Sequence, residues 1–513
     1  MKNHFINAVP GRALAGVHIL LLIWLIILGE TSAHAATTNA TLPELRAQLD
    51  AFLSHPRFSG ALWSVKVASL DTGRTLYEHH ADRLMSPASN SKLYTGALAL
   101  DTLGGDYRFK TPIRATAQVD ASGTLAGDLI ISGRGDPSWK ASRFAAIFDP
   151  FVSVLTNAGV KLVTGDLVAD TTFLQGPPSG GSWTVEDLSD TEGAEVSALT
   201  LADNVAQIRV APGTAVGAAC HLALDPPETV LKLVNLTTTI ATGGVAHVEF
   251  QKAPGTNDFY ILGQLPQAAS TLVLDVPVTT PARWFGQALK AILASHGIVV
   301  QGGVRVVAWP DRLPWPEKAL YEVGEVASPP LRELVYAFMK PSQNLETDLV
   351  FDHVGELSRT ASTPAWISSE VLAVRALDHF LAHHGVPADV HFDEGSGLSR
   401  NNLTSANATV ALLTLMSTNR WAADYYAALP IAGVDGTLRN RMKHGPAYHK
   451  VHAKTGTLHW VNSLSGYVTS AAGEKLVFSL MLNRYAAPPS VRRTDELDDL
   501  AATLAAFQGR SSE

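Results

Sequence analysis

Apolar positions along this chain fall into two textures. Residues 42–55, LPELRAQLDAFLSH, return a leucine every three or four places, which predicts a helix. Alternating stretches at Leu62–Val67 and Arg74–Tyr77 predict strands. SKLYTGALALDTLG then predicts a buried helix starting near Ser89 and ending near Gly104 and Gly105. Residues 107–310 differ: TLAGDLIISGRGDPS, GVKLVTGDLVADTTF, HVEFQKAPGTNDFYILG and STLVLDVPV are short alternating runs broken by Gly, Asp, Asn and Pro. That spacing predicts β-rich modules. One helix, ARWFGQALKAILASHG, is predicted among them and stops at Gly297.

Helical spacing returns after residue 328. PLRELVYAFMKPSQNLETDLVFDHVGEL forms one block, SSEVLAVRALDHFLAHHG a second that ends at Gly385, and ANATVALLTLMST a third. HAKTGTL, SLSGYVTSA and LVFSLMLNR predict closing strands, and a last helix is expected near 494–507. The segments before 107 and after 310 therefore read as one α/β unit interrupted by a β-rich insertion. The expected layout is 36–106 and 311–513 for the outer unit, with 107–310 inserted as one or two small domains.

Composition narrows the classes. With 46% hydrophobic and 17% charged residues the chain is globular, because disorder needs low hydrophobicity and high charge. The net charge of −8 supplies no basic field, so no nucleic-acid partner is expected. Cys220 is the one cysteine, which excludes an internal disulfide and a cysteine-rich metal site; its expected place is a small buried hydrophobe.

At the N-terminus, Lys2 and Arg12 precede an apolar run, and Ala33-His34-Ala35 follows it. Basic flank, short apolar core and A-x-A site describe a signal peptide over residues 1–35, cleaved after Ala35, hence an exported, periplasmic protein. The alternative is an uncleaved anchor, although the core falls short of the ~20 residues a span needs. After cleavage only weak amphipathic or pocket contacts would tie the protein to a membrane. The oligomeric state stays open.

Three short elements carry chemistry. In Ser89-Asn90-Ser91-Lys92, an S-x-x-K, positions i and i+3 share a helix face, so the lysine would stand beside the serine hydroxyl. A serine is a poor nucleophile until a base takes its proton, and a lysine is a base only when its pKa is lowered. Ser342-Gln343-Asn344 lies between two helical stretches, and Lys454-Thr455-Gly456 opens a strand followed by Thr457. S-x-x-K, S-x-N and K-T-G in this order are the established signature of penicillin-binding proteins and β-lactamases.

Further segments extend the likeness: Gly133-Arg134-Gly135-Asp136-Pro137, Asp393-Glu394-Gly395-Ser396-Gly397-Leu398-Ser399-Arg400 and Gly433-Val434-Asp435-Gly436-Thr437-Leu438. With Pro87-Ala88 ahead of the nucleophile, the chain resembles the D-alanyl-D-alanine carboxypeptidase/endopeptidase family, the low-molecular-mass class C penicillin-binding proteins. The long interval between Ser89 and Ser342 is a hallmark of that family and unlike ordinary class A β-lactamases. The resemblance implies a transpeptidase-type α/β domain with an antiparallel sheet flanked by helices. It implies serine-type carboxypeptidase activity on peptidoglycan stem peptides, with scope for endopeptidase activity, and covalent inhibition by β-lactams. Ser89 would be acylated, Lys92 would activate it, Ser342 would relay a proton, and Asn344 would bind the substrate amide. Lys454, Thr455, Gly456 and Thr457 would receive the substrate carboxylate, and the backbone N–H groups of Ser89 and Thr457 would form the oxyanion hole. Gln343 stands where family members often carry Asp or Asn.

Asp170, in Val168-Ala169-Asp170-Thr171-Thr172-Phe173, resembles an inserted-domain position that binds the free amino end of a stem peptide; a turn-capping Asp is the equal alternative. Ser396 is read as structural, and Arg400 and Asp435 as outlying or paired charges. His379 and His383 lack the H-E-x-x-H pattern of a zinc protease, and no Walker or dinucleotide motif is evident. No cofactor and no metal are expected. A β-lactamase and an idle wall-binding protein are the competing functions.

Overall fold

A computed structural model describes residues 40–227 and 230–512. The export segment expected over 1–35 lies outside the described residues. Five strands form the central antiparallel sheet, in the order Val451–Leu458, Val461–Thr469, Lys475–Asn483, Leu62–Ser69, Thr75–His79. The strand Lys475–Asn483 is buried along all but its first residue, because helices cover both sheet faces. That explains why LVFSLML is a nearly continuous apolar run rather than an alternating one.

Helices Leu42–Leu53 and Asp495–Ala506 cover one face, where Leu45, Leu49, Leu500 and Leu504 meet Val65, Val67, Leu480 and Leu482. On the other side lies the helix Ser91–Leu103, whose first ten residues are all buried. Neighbouring helices Leu331–Met339, Asn344–Leu357, Ser369–His383 and Ala406–Thr418 complete that layer. A helix apolar all round belongs inside a core, and this one carries the S-x-x-K element at its start.

Strand Leu62–Ser69 pairs with Lys475–Asn483 from Leu62↔Asn483 to Ser69↔Leu476. The two ends of the chain therefore fold as one body. Between them, Lys110–Ala115, Leu129–Ser132, Leu167–Asp170, Val304–Val307 and Tyr321–Ala327 build a second five-stranded sheet. Its pairing is mixed: Leu129–Ser132 runs parallel to Leu167–Asp170. The strands Lys110–Ala115 and Tyr321–Ala327 are antiparallel neighbours, so the chain leaves and re-enters through adjacent strands. Three three-stranded sheets and the helices Asp149–Asn157 and Pro281–Ser295 share a core with this sheet, with Trp139, Phe148, Phe151 and Phe285 at its centre. Cys220 is buried in that core. No helix among the described residues is long and apolar enough to cross a membrane.

A histidine joins the two parts. His353, on the helix Asn344–Leu357, hydrogen-bonds the Arg134 carbonyl through Nδ1 at 2.8 Å and the Tyr107 hydroxyl through Nε2 at 2.7 Å. Burial pushes its pKa down to about 4. The unfolded chain then binds the proton more readily, so the stability His353 supplies above pH 6.5 is lost as pH falls toward 4. Unfolding free energies measured across that window should fall with acid by up to on the order of 3 kcal/mol from this group. In His353→Gln that component of the pH slope should disappear.

Candidate active site

Ser89 lies in a 3-10 turn, Ala88–Asn90, that runs directly into the helix Ser91–Leu103. Ala88 is held at φ 48, a region that disfavours any residue with a Cβ, so surrounding contacts must enforce it. They come from three sides. Ser463 Oγ donates to the Pro87 carbonyl at 2.6 Å, and Asn90 Nδ2 donates to Ser465 Oγ at 2.7 Å. Gly456, on the strand Val451–Leu458, and Gly397, in the loop after Glu394, close the remaining sides. A Cβ on Gly456 would stand 2.4 Å from the Pro87 carbonyl oxygen, and one on Gly397 only 1.9 Å from that of Ala88.

One helical turn on, Lys92 is fully buried. Its Nζ donates to Ser89 Oγ at 3.2 Å, to Asn344 Oδ1 at 2.6 Å and to the Ser396 carbonyl at 2.6 Å. Burial disfavours its charge and pushes the pKa down to about 8, against the opposing pull of Asp348, Glu394 and Glu192. Glu394 is wrapped by donors: the backbone N–H groups of Ser396, Gly397 and Ser399, the Asn402 amide and the Ser396 hydroxyl. Asp348 receives the Gly395 N–H at 3.2 Å, and among the described residues its buried Oδ2 has no hydrogen-bond partner. Burial raises its pKa well above the usual carboxylate range, as does the neighbouring Glu394.

Across the site, Ser342 joins the helices Leu331–Met339 and Asn344–Leu357 at φ 72. Its hydroxyl accepts from Lys454 Nζ at 2.7 Å, and Lys454 also donates to the Thr455 carbonyl at 2.8 Å. Lys454 is fully buried; burial first, and then the charge of Lys92, push its pKa well below the ordinary lysine value. Thr455 Oγ1 donates to Thr437 Oγ1 at 2.8 Å. Thr437 is held through its N–H on the Lys340 carbonyl, while Lys340 Nζ pairs with Asp435 at 2.7 Å. Thr457 is exposed at the end of this row.

Five of the residues expected from sequence are thus tied by direct hydrogen bonds, Ser89–Lys92–Asn344 on one side and Ser342–Lys454 on the other. Asp170 lies elsewhere in the hydrogen-bond network. It ends the strand Leu167–Asp170, and its Oδ1 accepts from the Thr172 N–H at 3.0 Å and hydroxyl at 2.7 Å, the geometry of a turn cap. Asp136 likewise caps Ser138. Arg400 pairs with Asp187, and Ser396 donates to Glu394 while offering its carbonyl to Lys92. Among the described residues no group of three His, Cys, Asp or Glu side chains is arranged to hold a metal. Asp348, Glu192 and Lys340 carry no motif in the sequence, and Thr437 stands inside the segment Gly433–Leu438 without an assigned role. Asp348 left a trace there, four residues beyond Asn344 and so on the same helix face.

Serine and lysine on a buried helix start, a second serine and lysine facing them, and an antiparallel sheet alongside define a serine hydrolase with the penicillin-binding-protein fold. The D-Ala-D-Ala carboxypeptidase 3 (S13) family model matches residues 45–504, and the chain belongs to that family. It is 33% identical over 513 residues to the D-alanyl-D-alanine carboxypeptidase of an Actinomadura species, covering 98% of this chain and 92% of that protein. The D-alanyl-D-alanine carboxypeptidase DacB of Haemophilus influenzae is 25% identical over 430 residues, with 81% and 84% covered. The crystal structure of penicillin binding protein 4 from H. influenzae superposes at a TM-score of 0.74 and 23% identity, covering 87% of this chain and 96% of that one.

The turn geometry has a direct test. Gly397→Ala adds a backbone clash to left-handed strain, whereas Gly473→Ala, at φ 78 with open space around it, adds strain alone. Gly473→Ala should cost roughly 1–2 kcal/mol of unfolding free energy. Gly397→Ala should cost clearly more, as read by denaturant titration.

Proposed function

We propose that this protein cleaves the terminal D-Ala–D-Ala bond of peptidoglycan stem peptides, and cross-links of the same chemistry, through an acyl-enzyme on Ser89. The observation that carries this reading is Lys92 Nζ, buried with its pKa at about 8 and 3.2 Å from Ser89 Oγ. In the proposed reaction Ser89 Oγ attacks the penultimate D-Ala carbonyl carbon and its proton passes to Lys92. The resulting oxyanion is held by the backbone N–H groups of Ser89 and Thr457. Ser342, bonded to Lys454, hands a proton to the departing amine as the C–N bond breaks, and the proton that Lys92 took from Ser89 restores the Ser342 hydroxyl. The leaving D-Ala carboxylate rests against Thr455, Thr457 and Lys454. Its arrival offsets the desolvation that loosens the Lys454 proton, so Lys454 gains its charge as substrate binds. Water then attacks the ester and frees Ser89.

Asn344 supports Lys92 and offers its amide to the substrate. Asp170 serves first as the turn cap, and its carboxylate is the group in the insertion that would take a stem-peptide ammonium. β-Lactams mimic the scissile amide and acylate Ser89. The H. influenzae penicillin binding protein 4 has itself been crystallised with a β-lactam. Residues 107–310 form the body of an insertion in one discontinuous catalytic domain. Residues 1–35 are an export signal cleaved after Ala35, which puts the mature protein in the periplasm beside its substrate.

Labelled penicillin applied to the wild type and to Ser89→Ala tests the proposal. Covalent label on the wild type alone, with D-Ala released from a pentapeptide, is the expected result. Fast drug turnover would indicate a β-lactamase instead, and no label on either would indicate an idle site. The acylation rate should rise with pH through about 8 as Lys92 sheds its proton.

A further inference from the structure

The insertion reaches the catalytic cluster at Glu192. Glu192 lies in the 3-10 turn Thr191–Gly193, capped by Asp190 Oδ1, which accepts the Glu192 N–H at 3.3 Å. The segment leading to it is fastened to the catalytic body at separate points. Gln175 N–H donates to Ser369 Oγ at 2.7 Å, the Ser182 and Ser399 hydroxyls meet at 2.6 Å, and Asp187 pairs with Arg400 at 3.3 Å. So held, Glu192 accepts twice from Asn344 Nδ2, at 3.0 Å through its carbonyl and at 2.9 Å through Oε2. Asn344 Oδ1 in turn accepts from Lys92 Nζ, which donates to Ser89. Carboxylate, amide, amine and nucleophile form one unbroken chain.

The chain has a direction. An asparagine amide offers an acceptor on one edge and a donor on the other, and rotation exchanges them. With two acceptors of Glu192 on one side, the rotated amide would set its oxygen against a carboxylate and its N–H against a lysine. Glu192 therefore decides which edge Lys92 meets. We propose that Glu192 is a positioning residue for the acylation step, orienting Asn344 toward Lys92 and adding a negative charge that both active-site lysines feel. This rests on Ser89 and Lys92 being nucleophile and base as proposed above.

The groups facing Lys92 come from four elements: Asp348 from the helix Asn344–Leu357, Glu394 from its loop, Glu192 from the insertion and Lys454 from the strand Val451–Leu458. Asp348 and Glu394 are buried, whereas Glu192 is exposed. Its charge is the one of these that salt can screen and a bound substrate can cover. Removing an anion favours the neutral amine, so the rate rise with pH should begin at lower pH without it.

The experiment measures second-order acylation by a fluorescent penicillin from neutral to alkaline pH in the wild type, Glu192→Gln and Glu192→Ala. Thermal midpoints are recorded alongside. Glu192→Gln keeps an oxygen that accepts from Asn344 but loses the charge. Its acidic limb should move down by about half a pH unit, a roughly threefold gain on that limb, with the plateau little changed. Glu192→Ala should show the same shift and a modestly lower plateau, because Asn344 Nδ2 then keeps only the backbone carbonyl of residue 192 as an acceptor. In about 1 M salt the wild-type limb should approach that of Glu192→Gln. Superimposable pH profiles in all three proteins, whatever their thermal midpoints, would overturn the role of Glu192. Failure of the wild type to take label on Ser89 would instead overturn the reading on which it rests.

Discussion

Burial of one amine is the constraint on which the rest of the structure depends. An exposed lysine stays charged at neutral pH and cannot take a proton from a serine. Lys92 has no solvent contact, and desolvation is the largest influence on its pKa. That influence alone would carry it further down; Asp348, Glu394 and Glu192 pull the other way and leave it near 8. The balance keeps the amine close to ordinary working pH, where accepting and returning a proton are both inexpensive.

Keeping that amine dry and beside Ser89 accounts for much of the architecture. The helix that bears it is buried on every side. The turn before it adopts a conformation that Ala88 would not choose alone, and it is pressed into place by strands from the far end of the chain. Those strands are present because Leu62–Ser69 pairs with Lys475–Asn483. An insertion is compatible with this arrangement because it departs and returns through paired neighbours, Lys110–Ala115 and Tyr321–Ala327. His353 then fastens it to the helix that begins with Asn344.

Much of this was legible in the sequence, and the reasons are physical. Helix geometry pairs Ser89 with Lys92 at i and i+3, but Ser342, Asn344 and Lys454 could be named beforehand only because S-x-x-K, S-x-N and K-T-G in this order resemble a known family signature. Strong periodicity likewise disclosed the helix Pro281–Ser295 and the closing strands. The electrostatic frame was less visible. Glu394 stood inside a quoted motif without a role, because its importance lies in five donors converging in space. Glu192 sits in a polar turn with no periodicity at all. The short helix Asp149–Asn157 and the mixed-character strand Tyr321–Ala327 were also silent, as was the parallel pairing inside the insertion, since alternation reports a strand and not its partner. Asp170 shows the limit from the other side: a turn cap and an ammonium ligand demand the same residue.

Lys92 is a lysine held near neutrality by its surroundings. Nitrogen-15 NMR of lysine-labelled protein, with the Lys92 signal assigned by its loss in Lys92→Arg, measures this directly. The expected result is a side-chain amine that titrates near 8 in the uninhibited enzyme. Titration at the ordinary lysine value of 10.5 would contradict it.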